Sequence, residues 1–167
     1  MRGMEFRIRT RASDADVELF DRLNFESFRL TFLRGEELSD EEARVRFDEF
    51  ERGDPLDPWG EGHEVFFGED GAGVPVGLVW VADRGPFWRW GERLAWVYNL
   101  HVVPGFRRLG LARTLLGVAE GWARYRGLGS IALHVSAWND AARSLYESAG
   151  YSLVHEHEES RFYEKKL

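Results

Sequence analysis

The chain has 167 residues, 44% of them hydrophobic, which fits one domain with a core of its own. Its net charge is −7, from 22 basic and 29 acidic residues, and that balance argues against a nucleic-acid or membrane surface. The absence of cysteine excludes disulfides, Cys-ligated zinc and thiol nucleophiles.

The opening "MRGMEFRIRTR" is charged and lacks the apolar stretch of a secretory signal. No apolar run approaches the ~20 residues of a membrane span, so a cytoplasmic protein is expected. "FRIRT" alternates and predicts a strand. Ser13 followed by Asp16 predicts a capping-box variant opening the helix "SDADVELFDRL", with Leu19, Phe20 and Leu23 as its buried stripe. "FESFRLTFL" is amphipathic, and Ser39 caps a further helical piece, "SDEEARVRFDEFE". The acidic run "GEELSDEE" either attracts a cationic substrate or is a solvated helix start. "RGDPLDPWGEG" is a loop.

"HEVFFGE" and "VPVGLVWVAD" predict a hairpin turned by "DGAG". "RGPFWRWGER" is a loop rich in tryptophan and arginine, and "LAWVYNLHVV" is a long apolar strand. The helix "LGLARTLLGVAEGWARYRG" follows, with Gly127 suited to its C-terminal cap, and then the strand "SIALHVS". "NDAARSLYESAG" is a short helix with Asn139 as N-cap and Gly150 just past its end. "YSLVHEH" and "RFYEKKL" close the chain as a hairpin. His155 and His157 share a strand face beside acidic residues; a solvated strand end fits better than a metal pair, because no further ligand cluster accompanies them. The order β-α-α-β-β-β-α-β-α-β-β, with one β-α-β unit, predicts a single α/β domain over residues 1–167. Its mixed sheet has helices on both faces, and the paired strands of the unit run parallel.

The junction "VVPGFRRLGLARTLL" carries the first chemical signal. The helix buries Ala112, Leu115, Leu116, Ala119, Trp122 and Ala123 by periodicity. Its first N–H groups lack helical partners, and its dipole favours an anion. Gly110 lets a ligand approach the backbone, and Arg107, Arg108 and Arg113 add positive charge. This is a phosphate or pyrophosphate cradle, or else a plain turn with arginines in solvent. It is neither a Rossmann fingerprint nor a Walker A loop, since "RRLGLA" lacks the first glycine of one and the Gly-Lys-Ser/Thr of the other.

The stretch "LHVVPGFRRLGLARTLL" resembles the acyl-CoA-binding motif of the GNAT N-acetyltransferase superfamily, Gln/Arg-x-x-Gly-x-Gly/Ala, with Arg107, Gly110 and Ala112 in the three places. "LHVSAWNDAARSLYESAGY" resembles a second element of that family, through Asn139, Ala142, Tyr146, Gly150 and Tyr151. The element order agrees over nearly the whole chain. The resemblance implies a GNAT-like sheet of about seven strands with splayed parallel central strands. It also implies acetyl-CoA as acyl donor without a metal, and direct attack by a primary amine of a small molecule or peptide.

Under that resemblance the pyrophosphate lies on the amides from Arg108 through Leu109, Gly110, Leu111 and Ala112 to Arg113, with Arg107 beside them. Val102, Val103 and Asn139 join the cofactor site. A strand bulge leaves an N–H near Val102 for the thioester carbonyl. Tyr146 is implied as the acid that protonates the thiolate, against the alternative of a core tyrosine. The fourth strand, "VYNLHVV", departs from relatives that carry a carboxylate there. His101 and Glu64 are candidate bases, with His134 a weaker one and a structural role for His101 equally open. Alternation places His101 on the face of Asn99 and opposite Tyr98, subject to the bulge. The acceptor is expected between the early helices and the loop before the fourth strand. There Trp88 and Trp90 either wall the pocket or pack as satellite core. A non-catalytic acyl-CoA-binding module on the same fold, and a homodimer through exposed strand edges, are compatible with the sequence.

Overall fold

The computed structural model describes residues 4–167. These form one seven-stranded sheet in the order β1-β2-β3-β4-β5-β7-β6. The strands are β1 (Arg7–Arg9), β2 (His63–Glu69), β3 (Pro75–Arg84), β4 (Leu94–Val102), β5 (Ser130–Ser136), β6 (Ser152–His157) and β7 (Ser160–Lys166). The helices are α1 (Ala15–Phe32), α2 (Asp40–Gly53), α3 (Leu111–Tyr125) and α4 (Asp140–Ser148). Every neighbouring pair is antiparallel except β4 with β5, the strands of the β-α-β unit. The element order and mixed sheet are those expected.

Strand alternation divides the core between the two faces. Val79, Val81, Ala95, Val97, Ile131 and Leu133 pack with α3 and α4. Val65, Phe67, Leu78 and Trp80 pack with Phe20 and Leu23 of α1 on the other side. Helix α2 lies on α1 through Phe28, Ala43 and Phe47.

The two amphipathic segments before residue 33 form one continuous helix, and its start differs from the expected box. Asp14 is the N-cap and makes no side-chain cap bond. Asp16 supplies the acidic half alone, its carboxylate accepting from the amides of Ala12 at 2.7 Å and Ser13 at 3.4 Å. The same carboxylate takes both terminal nitrogens of Arg9, at 2.9 and 3.0 Å, which locks β1 to α1. Helix α2 has the complete box: Ser39 Oγ accepts from the Glu42 amide at 3.1 Å, and the Glu42 carboxylate accepts from the Ser39 amide at 2.9 Å. Such a cap contributes about 1 kcal/mol. The acidic run is thereby a helix start, with Asp40, Glu41 and Glu42 in the first turn.

Helix α3 buries Leu111, Leu115, Leu116, Ala119 and Ala123, and also Glu120. Ala112 and Trp122, expected on this face, sit half-buried at its margins, because Leu111 and Glu120 occupy the centre. The buried Glu120 carboxylate is satisfied by Tyr151 Oη at 3.1 Å and Lys165 Nζ at 2.7 Å, which removes the cost of an unpaired charge. A Cβ at Gly77 of β3 would stand 2.9 Å from the His101 carbonyl oxygen and 3.0 Å from Leu111 Cδ2. That glycine lets the first turn of α3 seat directly on the sheet.

The Arg9 guanidinium and the two amides hold the Asp16 carboxyl at about 2, below its ordinary 3.8. The depressed value stabilises the fold above the unfolded pKa, by roughly 2 kcal/mol, and this is lost as pH falls from about 4 towards 2. Asp16→Asn should therefore lower unfolding stability by roughly that amount at pH 7. The gap to the wild type should narrow at pH 2 in denaturant titrations.

Candidate active site

Strands β4 and β5 pair only at Ala95–Ile131 and Trp96–Ala132. Past that point they splay, and the gap opens into a cleft of about 710 Å³ bordered by Val97, Tyr98, Asn99 and Leu100 on one side and Leu133, His134, Val135 and Ser136 on the other. These residues come from both faces of the sheet, so the cleft runs through it.

In the β3–β4 ladder Val81 stands opposite Val97 and Trp80 opposite Asn99, leaving Tyr98 as an extra residue. The bulge breaks the period-two alternation. Tyr98, Asn99 and His101 consequently all face α1. The Tyr98 ring lies 4.7 Å from that of Trp80; Asn99 bonds Ser27 at 3.0 Å and Asn24 at 2.8 Å; His101 Nε2 bonds Glu26 at 2.8 Å. Tyr98 was expected on the opposite face, and the bulge was expected near Val102. Near Val102 the backbone is engaged: the Val103 amide donates to the Val76 carbonyl at 2.9 Å, and the Val102 carbonyl accepts from Arg107 Nε at 3.0 Å.

A 3₁₀ turn, Pro104–Phe106, leads from β4 into α3. Arg108 (φ 62°) and Gly110 (φ 89°) are left-handed, and the helix starts without a side-chain cap. Thr114 is the first residue whose amide bonds back, to the Gly110 carbonyl at 3.0 Å. Among the described residues the amides of Leu111, Ala112 and Arg113 therefore have no backbone partner, and the dipole gathers positive charge there. Arg107, Arg108, Leu109, Gly110 and Arg113 are exposed around this end, while Ala112 is half-buried. Arg113 reaches Ser148 on α4. Arg108 makes no hydrogen bond or ion pair among the described residues, although a non-glycine residue at its φ costs of order 1 kcal/mol.

Tyr146 enters the cleft from α4. It is 6% exposed, with the rings of Tyr151 and Tyr163 at 5.9 and 6.0 Å. Its hydroxyl has no hydrogen-bond partner among the described residues, and burial pushes its pKa well up, so the phenol keeps its proton. Asn139 caps α4, accepting from the Ala142 amide at 3.2 Å, and also borders the cleft.

The expected bases do not join Tyr146. His101 is buried and outside the cleft lining; burial lowers its pKa against the pull of Glu26, and its ring ties β4 to α1. Glu64 alternates with Val65, which faces α1, and stands opposite Val81 of the α3 side, so the sheet separates it from the α1 half of the cleft. His134 does border the cleft, 5.7 Å from Phe162. Neither Trp88 nor Trp90 lines the cleft: Trp90 is satellite core, while Trp88 is 56% exposed. Trp90 packs on Phe87 and Trp96 and donates to Glu164 at 2.7 Å; Trp88 lies against Trp90, His155 and Phe162. The aromatic wall comes instead from Phe28, Phe32 and Phe50 of the helices and from Trp80, Trp96 and Tyr98. The spacings Phe25–Phe28–Phe32 and Phe47–Phe50 were the available signal, one face of each helix. Among the described residues no group of three or more His, Asp or Glu is placed to hold a metal ion, and no helix is long and apolar enough to cross a membrane.

The family model described as "Acetyltransferase (GNAT) family" matches residues 23–151, from α1 through the α3 junction to Tyr151. The chain belongs to the GNAT acetyltransferase family. Thialysine N-epsilon-acetyltransferase of Caenorhabditis elegans is 33% identical to this GNAT chain over 90 residues, 54% of the chain and 52% of the relative. The chain thus spans about half the length of that curated relative. PaiA N-acetyltransferase of Thermoplasma acidophilum, solved with coenzyme A, shares the fold at a TM-score of 0.71 and 19% identity, over 98% of this chain and 100% of that one. Aminoglycoside N-acetyltransferase AAC(6')-Iy, also solved with coenzyme A, does so at 0.68 and 17%, over 93% of each.

Arg108→Ala should weaken coenzyme A binding several-fold in calorimetry at low salt, with the difference closing near 1 M salt, where exposed charges are screened. The melting temperature should not fall, because the side chain has no partner to lose.

Proposed function

We propose that this protein transfers an acyl group, acetyl by default, from acyl-CoA directly to a primary amine within a ternary complex. The observation that carries the reading is the opened β4–β5 gap: an uncapped, arginine-ringed helix start follows one of its strands, and an unpartnered buried phenol stands in its lining. Family membership supports it, as do the fold neighbours named with coenzyme A. A cytoplasmic location goes with the reading, since acyl-CoA is an intracellular donor.

In this reading the pyrophosphate sits on the free amides of Leu111, Ala112 and Arg113. Arg107, Arg108 and Arg113 surround it, with Leu109 and Gly110 leaving room for close approach. The pantetheine arm lies along the β4 edge, and we place the thioester carbonyl at the bulge, near Tyr98 to Leu100, rather than at Val102. Val102 and Val103 then flank the arm, and Asn139 borders the acyl end. The ammonium of the acceptor loses one proton. Its nitrogen forms a bond to the carbonyl carbon and gives up a second proton to solvent, and the tetrahedral intermediate expels the thiolate to leave the neutral amide. Tyr146 gives the thiolate its proton and is reprotonated from solvent. His101 serves as a positioning residue through Glu26 and α1, and Glu64 has no part in the proton path.

Tyr146→Phe should reduce turnover by about 10²-fold, with coenzyme A affinity nearly unchanged. Wild-type kcat/KM should rise from pH 7 to 9 as the amine, of pKa near ~10, loses its proton. No falling limb from Tyr146 should appear below pH 10, because burial raises its pKa. Free-thiol release with a panel of amines measures all of this. Acetyl-CoA binding without thiol release from any amine would indicate a non-catalytic module.

A further inference from the structure

Phe28, Phe32 and Phe50 form a closed triangle of rings at the α1/α2 end of the cleft, with centroids 5.1 to 5.4 Å apart. Phe32 is 52% and Phe50 54% exposed, so two large apolar rings border the opening without protein cover. Uncovered rings beside a concave site mark a binding wall.

The charges in the same lining are unequal in their freedom. Asp48 is taken by Arg44 at 3.1 Å, and the Arg84 guanidinium stands over the Phe87 ring at 3.6 Å. Arg52 and Asp54 are exposed at the rim. Glu51 has no cation within 4.0 Å among the described residues, and its one hydrogen bond is from Asn24 Nδ2 at 3.5 Å. Partial enclosure, with Asp21 and Asp48 nearby and only Arg44 opposing, pushes its carboxyl pKa up. An added cation would relieve that repulsion. The position is also right for chemistry. Asn24 accepts from Asn99 at the β4 bulge at 2.8 Å, so Glu51 is two hydrogen bonds from the bulge. The unpartnered Tyr146, 6% exposed, lines the same cleft from α4.

We propose that the α1/α2 half of the cleft is the acceptor subsite for a primary ammonium carried on an aromatic or branched apolar body, with Phe28, Phe32 and Phe50 taking the body and Glu51 the ammonium. This rests on the acyl transfer proposed above and names its acceptor class. The ring faces add attraction for the cation, and the bound ammonium releases its proton to solvent before its nitrogen attacks, in keeping with a kcat/KM that rises with pH.

The test uses the full chain saturated with coenzyme A, with 2-phenylethylamine, ethylamine and 2-phenylethanol as probes in calorimetry. 2-Phenylethylamine should bind about tenfold or more tightly than either of the others. Glu51→Gln should abolish the preference over 2-phenylethanol, and Phe50→Ala should shrink the preference over ethylamine. Both side chains are exposed, so both variants should fold and keep coenzyme A affinity. With acetyl-CoA, Glu51→Gln should raise KM for 2-phenylethylamine about tenfold. Equal binding of the three probes, or an unaltered preference in Glu51→Gln, overturns the subsite. If other amines release thiol while 2-phenylethylamine shows no preference, the subsite fails and acyl transfer stands. If coenzyme A itself does not bind, acyl transfer fails.

Discussion

The parallel ladder between β4 and β5 ends after two residue pairs, and the site depends on that ending. Each strand is held elsewhere: β4 pairs along its length with β3, and β5 pairs with β7 from Ser130 to Ser136. The gap can stay open because neither strand relies on the other for its place. The Tyr98 bulge increases local twist at the point where the two part. Backbone edges without partners are stable only in water or against a ligand. The slot is thus a preformed strand-like edge for an extended molecule.

A gap through a sheet is reached from two sides, and the helices divide accordingly. On one face α4 inserts Tyr146 among Tyr151 and Tyr163, where burial holds the phenol protonated. On the other, α1 fastens to β4 through Asn99 and His101, and α2 completes an aromatic wall upon it. Donor and acceptor can therefore approach one bond from opposite sides. In the proposed reading the α3 junction sets the donor's register; its first turn is seated on β3 by the absence of a side chain at Gly77.

Much of this was legible in the sequence. The element order, the cap at Ser39 and the Asn139 cap follow from local chemistry and recur in the structure. The bulge did not, because "VYNLHVV" does not say which residue the partner strand skips. One extra residue moved Tyr98 to the face of Asn99 and His101, and it put the register shift at Tyr98 rather than near Val102. Trp88 and Trp90 were ambiguous for a similar reason: a loop aromatic reveals its neighbours only when β6 and β7 are in place. The Asp16 cap shows tertiary override, since Arg9 on β1 claims the carboxylate. Glu51 went unremarked as one acid among many on α2. What sets it apart on α2 is a place in the cleft lining without a cation partner among the described residues, which only the packing of α1 on α2 reveals.

The most direct test of the central claim is a backbone amide chemical-shift titration of the full chain with acetyl-CoA. The account predicts the largest changes at Tyr98 to Leu100, Leu133 to Val135 and Leu111 to Arg113, with the β2–β3 hairpin turn nearly still. Large changes confined to other surfaces, with those three segments unmoved, would contradict it.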